Sequence, residues 1–196
     1  MIERIVICLC AACIAACASS GDPKKAAQDY RGSAATYVPL AVGNQWTYTV
    51  DYLGQLGEMT IEIVQQEGEW FVDNRGTMLS IDHRGVRDRE RYLITFPLQE
   101  NRSWVAFTSP TQRETRTVLT VDMPVDTPAG HFEGAVAIET AIAAGPDMLL
   151  KSVHYFVPKV GIVKIETFIE DARNGEVKRQ TLTLLKNWKM KDNEKN

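Results

Sequence analysis

Between Gln45 and Tyr52 the chain alternates without a break. Trp46, Tyr48, Val50 and Tyr52 fall on one parity and Gln45, Thr47, Thr49 and Asp51 on the other. Successive side chains of an extended chain point to opposite faces, so this pattern predicts a strand with one face on a core and the other in water. Met59, Ile61 and Ile63 alternate in the same way with Glu58, Thr60 and Glu62, and Leu53 to Gly57 supplies a glycine-containing hairpin loop between the two. Further extended segments are predicted at Trp70–Val72, Thr77–Asp82, Tyr92–Phe96, Trp104–Phe107, Glu114–Met123, Phe132–Ala143, Leu149–Val157, Ile162–Glu170 and Val177–Leu185. Asn174-Gly175, between the last two, is the pair that favours a two-residue type I′ turn, in which both central residues take positive φ.

After the first residues, no segment shows a convincing 3.6-residue apolar period. Ala135–Ala144 has the composition of a helix, but Val136, Ile138, Thr140 and Ile142 alternate with Ala135, Ala137, Glu139 and Ala141. Pro128-Ala129-Gly130 before it and Gly145-Pro146 after it are breakers that suit a strand. Sequential strands, short turns and no internal repeat predict an all-β domain over residues 37–188, an antiparallel meander curled into a half-open or closed barrel.

The start of the chain follows a different pattern. Glu3 and Arg4 precede an apolar run from Ile5 to Ala16. A bilayer-spanning helix needs about 20 apolar residues, so the run is too short to span and suits the apolar core of a signal peptide. It closes on Ile14-Ala15-Ala16-Cys17, which resembles the bacterial lipobox. That resemblance implies removal of a signal peptide at 1–16, a diacylglyceryl thioether on Cys17 and a further acyl chain, such as palmitate, on the new amine. Ordinary secretory cleavage after Ala16 or Ala18 is the alternative. Stable anchoring takes more than one chain, at about 0.8 kcal/mol per buried methylene, and the implied lipid supplies it. Ala18 and Ser19 follow the cysteine, with no Asp to mark inner-membrane retention, so the resemblance implies the outer membrane with the domain facing the periplasm.

This reading also disposes of the cysteines. The chain has four, all near its start, and Cys8, Cys10 and Cys13 leave with the leader. The mature domain then has neither disulfide nor thiolate and depends on its core alone. Residues 17–36, rich in Ala, Ser, Gly, Lys and Asp, form a flexible lipidated tether, and residues 189–196 a charged, disordered tail. The net charge of −3 is unchanged by loss of Glu3 and Arg4, and such a surface lacks the basic footprint that nucleic acid requires.

Three motifs carry a family resemblance. They are Pro39-Leu40-Ala41-Val42-Gly43-Asn44-Gln45-Trp46-Thr47-Tyr48, Thr127-Pro128-Ala129-Gly130-His131-Phe132-Glu133-Gly134-Ala135 and Tyr155-Phe156-Val157-Pro158-Lys159-Val160-Gly161-Ile162-Val163-Lys164. Together they resemble the TapB-like bacterial envelope proteins over about Val38 to Glu166. His131 and Val157-Pro158-Lys159 depart from the usual residues at their positions. The resemblance implies a barrel-like antiparallel fold akin to the LolA/LolB-type lipoprotein carriers, and it brings no catalytic residues with it.

The residues themselves offer little chemistry. His83, His131 and His154 form no metal-ligand spacing, and no cysteine remains to assist them, so neither a metal nor a cofactor is expected. There is no Gly-x-Ser-x-Gly elbow and no phosphate-cradling glycine loop, so no enzyme is expected. Arg87, Arg89 and Arg91 would share one face of an extended strand, either as a ladder for an anionic ligand such as lipid phosphate or as charges that guard a sheet edge. The edge reading is preferred.

Trp46, Tyr48 and Trp104 are read as barrel filling, with an apolar-ligand platform as the alternative. Large inward residues favour a filled barrel that docks an envelope partner as an interaction or structural module. The competing reading is a carrier-like half-barrel that holds a lipid or other hydrophobic ligand. In either case Cys17 is the membrane link. A Cys17→Ser chain should fail to incorporate labelled palmitate and should leave the membrane fraction; retention with full label would show the anchor to be elsewhere.

Overall fold

The computed structural model describes residues 34–191; the leader, Cys17 and the tether as far as residue 33 lie outside them, as do the last residues of the tail. A single helical turn, α1 (Ala34–Tyr37), leads into twelve strands. They are β1 (Gln45–Tyr52), β2 (Gln55–Glu67), β3 (Trp70–Asp73), β4 (Met78–Ile81), β5 (Gly85–Arg87), β6 (Tyr92–Thr95), β7 (Ser103–Thr108), β8 (Arg113–Thr127), β9 (Gly130–Ala143), β10 (Met148–Val157), β11 (Gly161–Asp171) and β12 (Glu176–Lys189). The alanine-rich segment is a strand, as its alternation predicts; Val136, Ile138 and Thr140 are buried on one face, and Ala135 and Ala137 on the other.

All twelve strands join in one antiparallel sheet, ordered β6-β5-β4-β3-β2-β1-β12-β11-β10-β9-β8-β7. The chain thus starts in the middle of the sheet. Its first half winds outward to β6, and its second half begins at the opposite edge and returns to pair β12 with β1. The sheet curls until its edges face each other, giving a nearly closed barrel with one unsealed seam between β6 and β7. Across that seam Trp104 Nε1 donates to the carbonyl of Tyr92 at 3.1 Å.

One end of the barrel is packed with large residues. Trp46, Tyr48, Phe132, Val163 and Leu185 form one buried cluster, and Val86, Ile94, Val118, Ile138 and Phe156 form a second that α1 joins through Ala34. Each such apolar side chain contributes roughly 1.5–3 kcal/mol on burial. The aromatics keep their polar tips satisfied: Trp46 Nε1 donates to Val160 O at 2.6 Å and the Tyr48 hydroxyl to Ile162 O at 3.0 Å. Gly161 lets the turn pass this close, since a Cβ there would lie 3.3 Å from Trp46 Nε1, and its φ of +101° suits glycine. The three motifs therefore meet at one end of the molecule. Asn44 Nδ2 donates to Pro39 O, and Ala129 N–H donates to Leu185 O.

Some local expectations change. The β1–β2 connection is a two-residue turn at Leu53-Gly54, with φ of +50° and +88°, instead of a five-residue loop. Asn174-Gly175 does not make a type I′ turn. Four residues separate β11 from β12, only Gly175 has positive φ, and its N–H bonds to Asp171 O at 2.8 Å. Tertiary pairing of the long strands sets these loop lengths, and the local dipeptide signal does not prevail. Ala34–Thr36, expected within the tether, are helical and enter the fold.

Gly85 marks the tightest approach of two strands. A Cβ built on it would sit 1.9 Å from the carbonyl oxygen of Ile94. Gly85→Ala should lower stability by roughly 1–3 kcal/mol or more in urea denaturation. Gly57→Ala, whose Cβ meets nothing within 4 Å, is the control and should change the midpoint little.

Candidate functional site

The other end of the barrel is built from smaller inward residues and is open. Cross-strand register sets Arg116, Thr140, Ser152, Thr167, Thr181 and Tyr52 side by side in a row that runs from β8 through β9, β10, β11 and β12 to β1. Two residues toward the rim, the next row is Glu114, Ile142, Leu150 and Ile169. Two residues deeper lie Val118, Ile138, His154, Ile165, Thr183 and Val50. Residues two apart on a strand share a face, so all three rows line the concave side. The hydroxyl row cannot fill the space that aromatics fill at the closed end. A groove of about 410 Å³ remains there, with Ile142, Leu150 and Ile169 toward its rim and Thr140, Ser152 and Thr181 below them.

The floor is polar and partly unsatisfied. Thr167 and Thr181 share a hydrogen bond at 2.6 Å. Thr140 is 5% exposed, and its hydroxyl has no hydrogen-bond partner within the protein; the buried Nδ1 of His154 has none either. Burial holds the His154 imidazole down to about 4, and the nearby Arg116 charge acts in the same direction, so the ring is neutral at pH 7.

Beside the groove, on β8, lies a buried ion cluster. Glu114 is 1% exposed and accepts from Arg116 Nε at 2.9 Å and from Arg91 at 2.6 Å. Arg116 also donates to Leu93 O at 3.2 Å, on the edge strand β6. Burial pulls the Arg116 guanidinium below its ordinary value, and Glu114 opposes that shift. Glu114 and Arg116 are two residues apart on the same parity as Val118. Opposite charges on an apolar parity are the sequence signal for this pair, and hydrophobic alternation alone does not reveal it.

The structure does not place the three singled-out arginines on one strand. Arg87 ends β5, and residues 88–91 form a turn in which Asp88 N–H donates to Arg91 O and the Asp88 carboxylate accepts from the N–H groups of Glu90 and Arg91. Arg87 pairs with Glu69 at 3.0 Å and lies over the Trp70 ring. Arg91 reaches inward to Glu114 and over Phe107. Arg89 is exposed and, among the described residues, makes no ion pair. An Asp-centred turn, invisible to strand alternation, breaks the expected ladder. Trp46 and Tyr48 lie in the packed core, and Trp104 lies partly buried at the seam, so none of the three faces the groove.

Elsewhere, His131 is held between Asp126 and Glu133 at 2.7 and 2.8 Å on the exposed β8–β9 turn, and hydrogen bonds to Asp126 and then Glu133 raise its pKa. No three His, Cys, Asp or Glu side chains among the described residues gather as metal ligands.

No family model matches the chain, and no curated protein matches it. Solved structures similar to it include one from Bacteroides fragilis, described as an exported protein with a YmcC-like fold. It is 15% identical, with a TM-score of 0.41, and the match covers 76% of this chain and 97% of that one. Another, from Parabacteroides distasonis and described as a lipoprotein, is 13% identical with a TM-score of 0.42, and the match covers 76% of this chain and 96% of the other.

The depressed pKa of His154 has a consequence for stability. Above pH 6.5 the ring is neutral in both states and contributes no pH dependence. As pH falls below 6.5 the unfolded chain takes up the proton first, so stability drops by up to about 1.4 kcal/mol per pH unit until the folded pKa near 4 is reached. Denaturation midpoints measured from pH 7 to 4 should show that loss, and His154→Phe should remove one proton's share of it. Equal slopes in the two proteins would mean that the ring is already open to solvent.

Proposed function

We propose that this chain is a non-catalytic, lipid-anchored protein of the bacterial envelope, held at the outer membrane through Cys17 and working as a binding module through the open mouth of its barrel. The groove of about 410 Å³ on the concave face carries this reading. Its size is within the range of small-molecule sites, and it combines apolar walls with a few convergent polar groups. Anchorage is supported by the lipobox sequence that ends at Cys17. The lack of catalysis is supported by the sequence, which has no Gly-x-Ser-x-Gly elbow and no phosphate-cradling glycine loop. Kinship with the TapB-like proteins and with carriers of the LolA/LolB type is part of the same proposal and rests on the three motifs.

A second reading, an interaction or structural module that docks an envelope protein, is favoured by the surface around the mouth. Leu56 is 83% exposed, and Tyr52, Leu53, Met148, Leu150 and Val177 are exposed on the hairpins that form the rim. Exposed apolar residues gathered in one place mark interaction surfaces.

Native mass spectrometry of the full protein extracted from its own membranes separates the two. A small co-purifying mass, lost when Leu150 and Ile142 are both changed to Trp to fill the groove, is the expected result. A bare chain that travels only with another protein would support the docking module instead.

A further inference from the structure

The order of chemistry down the mouth runs opposite to that of a pocket for an apolar chain. Its rim is aliphatic, through Ile142, Leu150 and Ile169, whereas its second layer is the hydroxyl row with Tyr52 at its end. A hydrocarbon tail pushed inward would end against hydroxyls. The hydroxyl most buried in that row, on Thr140, has no partner within the protein, and His154 Nδ1, one layer deeper on the neighbouring strand, is in the same state. Buried polar groups in folded proteins are nearly always hydrogen-bonded, so the orphaned Thr140 hydroxyl on the groove lining points to a bonding group supplied from outside.

The charge of that group is constrained too. Arg116 stands beside Thr140 in the row, but its Nε and Nη2 go to Glu114 and its Nη1 to Leu93 O. Three of its five N–H groups are engaged, its charge is balanced by Glu114, and it is not among the residues that line the groove. Glu114 is equally engaged, by Arg116 and Arg91. Lys151, which does line the groove, is paired with Glu170 at 2.6 Å and lies 3.8 Å from Glu139. The hydroxyls left open on the lining are neutral, and burying an unpaired charge against them is costly.

We propose that the mouth takes a small amphiphile with a neutral hydroxyl or amide head, which enters head first, bonds to Thr140 on the floor and leaves its apolar part along Leu150 and Ile142 at the rim. This rests on the binding-module reading of the mouth and names its ligand class.

The test uses the full chain carrying Cys17→Ser, followed by the Thr140 methyl resonance in NMR, with three probes of one chain length: 1-hexanol, 1-chlorohexane and hexanoate. Hexanol should shift the Thr140 signal saturably, and the other two should bind about tenfold or more weakly, the loss expected when a buried hydrogen bond goes unmade. Thr140→Val keeps the shape and removes the hydroxyl. Followed through the His154 ring signals, it should lose about tenfold in hexanol affinity with chlorohexane unchanged. Its denaturation midpoint without probe should equal or exceed that of the parent, because no protein bond is lost.

Equal binding of hexanol and chlorohexane would overturn head-first entry and leave the binding-module reading standing. Hexanoate binding as tightly as hexanol would overturn the neutral head. No saturable shift with any probe would sink both the head-first entry and the groove as a binding site. A marked loss of stability in Thr140→Val would show that a bound water already satisfies the hydroxyl, and that too would overturn the inference.

Discussion

A sheet that begins in its own middle ends with two bare edges, and this barrel depends on how those edges are brought together. No ladder of backbone hydrogen bonds joins β6 to β7. Side chains do the work. Trp104 donates to Tyr92 O, Arg116 to Leu93 O and Arg102 to Thr95 O. Unpaired strand edges invite pairing with other chains, so satisfying these carbonyls from within also protects the molecule. The solution brings a guanidinium into the barrel, where it needs a counter-charge. Glu114 provides one and in turn binds Arg91 from the β5–β6 turn. Removing one member of such a buried set typically costs about 3–5 kcal/mol, because the remaining charge is left uncompensated.

The ion cluster lies level with the open end, where the concave face carries Thr140, Ser152, Thr167 and Thr181. The opposite end of that face is filled by Trp46, Tyr48, Phe156 and Leu185. The filled end supplies most of the apolar burial, so the open end can keep a hydroxyl and an imidazole nitrogen without protein partners. The two ends of the described chain sit at the filled end as well. Lys159 N–H donates to Thr36 O, and Lys191 N–H donates to Asn44 Oδ1. The described chain therefore enters the fold at the end remote from the groove, and the mouth opens away from that point. Whether the barrel is filled or hollow has two answers, one for each end.

The sequence by itself determined the fold class and most strand positions. Alternation is a local property, readable wherever one face of a strand is buried, and it held even through the alanine-rich β9. It also marked Trp46 and Tyr48 as barrel filling, because large aromatic side chains on one parity of an extended segment call for burial. Turn geometry was less legible. The type I′ turn sits at Leu53-Gly54, where no dipeptide rule would place a leucine at φ +50°, because the register of β1 on β2 leaves only two residues to connect them. The arginines were misplaced for a similar reason: the Asp88 side chain turns the chain where alternation reads as strand. The groove was illegible in principle. Arg116, Thr140, Ser152, Thr167, Thr181 and Tyr52 come from six strands spread over more than half the chain, and only register places them in one row. Burial pattern tells which face of a strand points inward; which inward residues become neighbours depends on the pairing of distant strands, and that was decided by the tertiary structure alone.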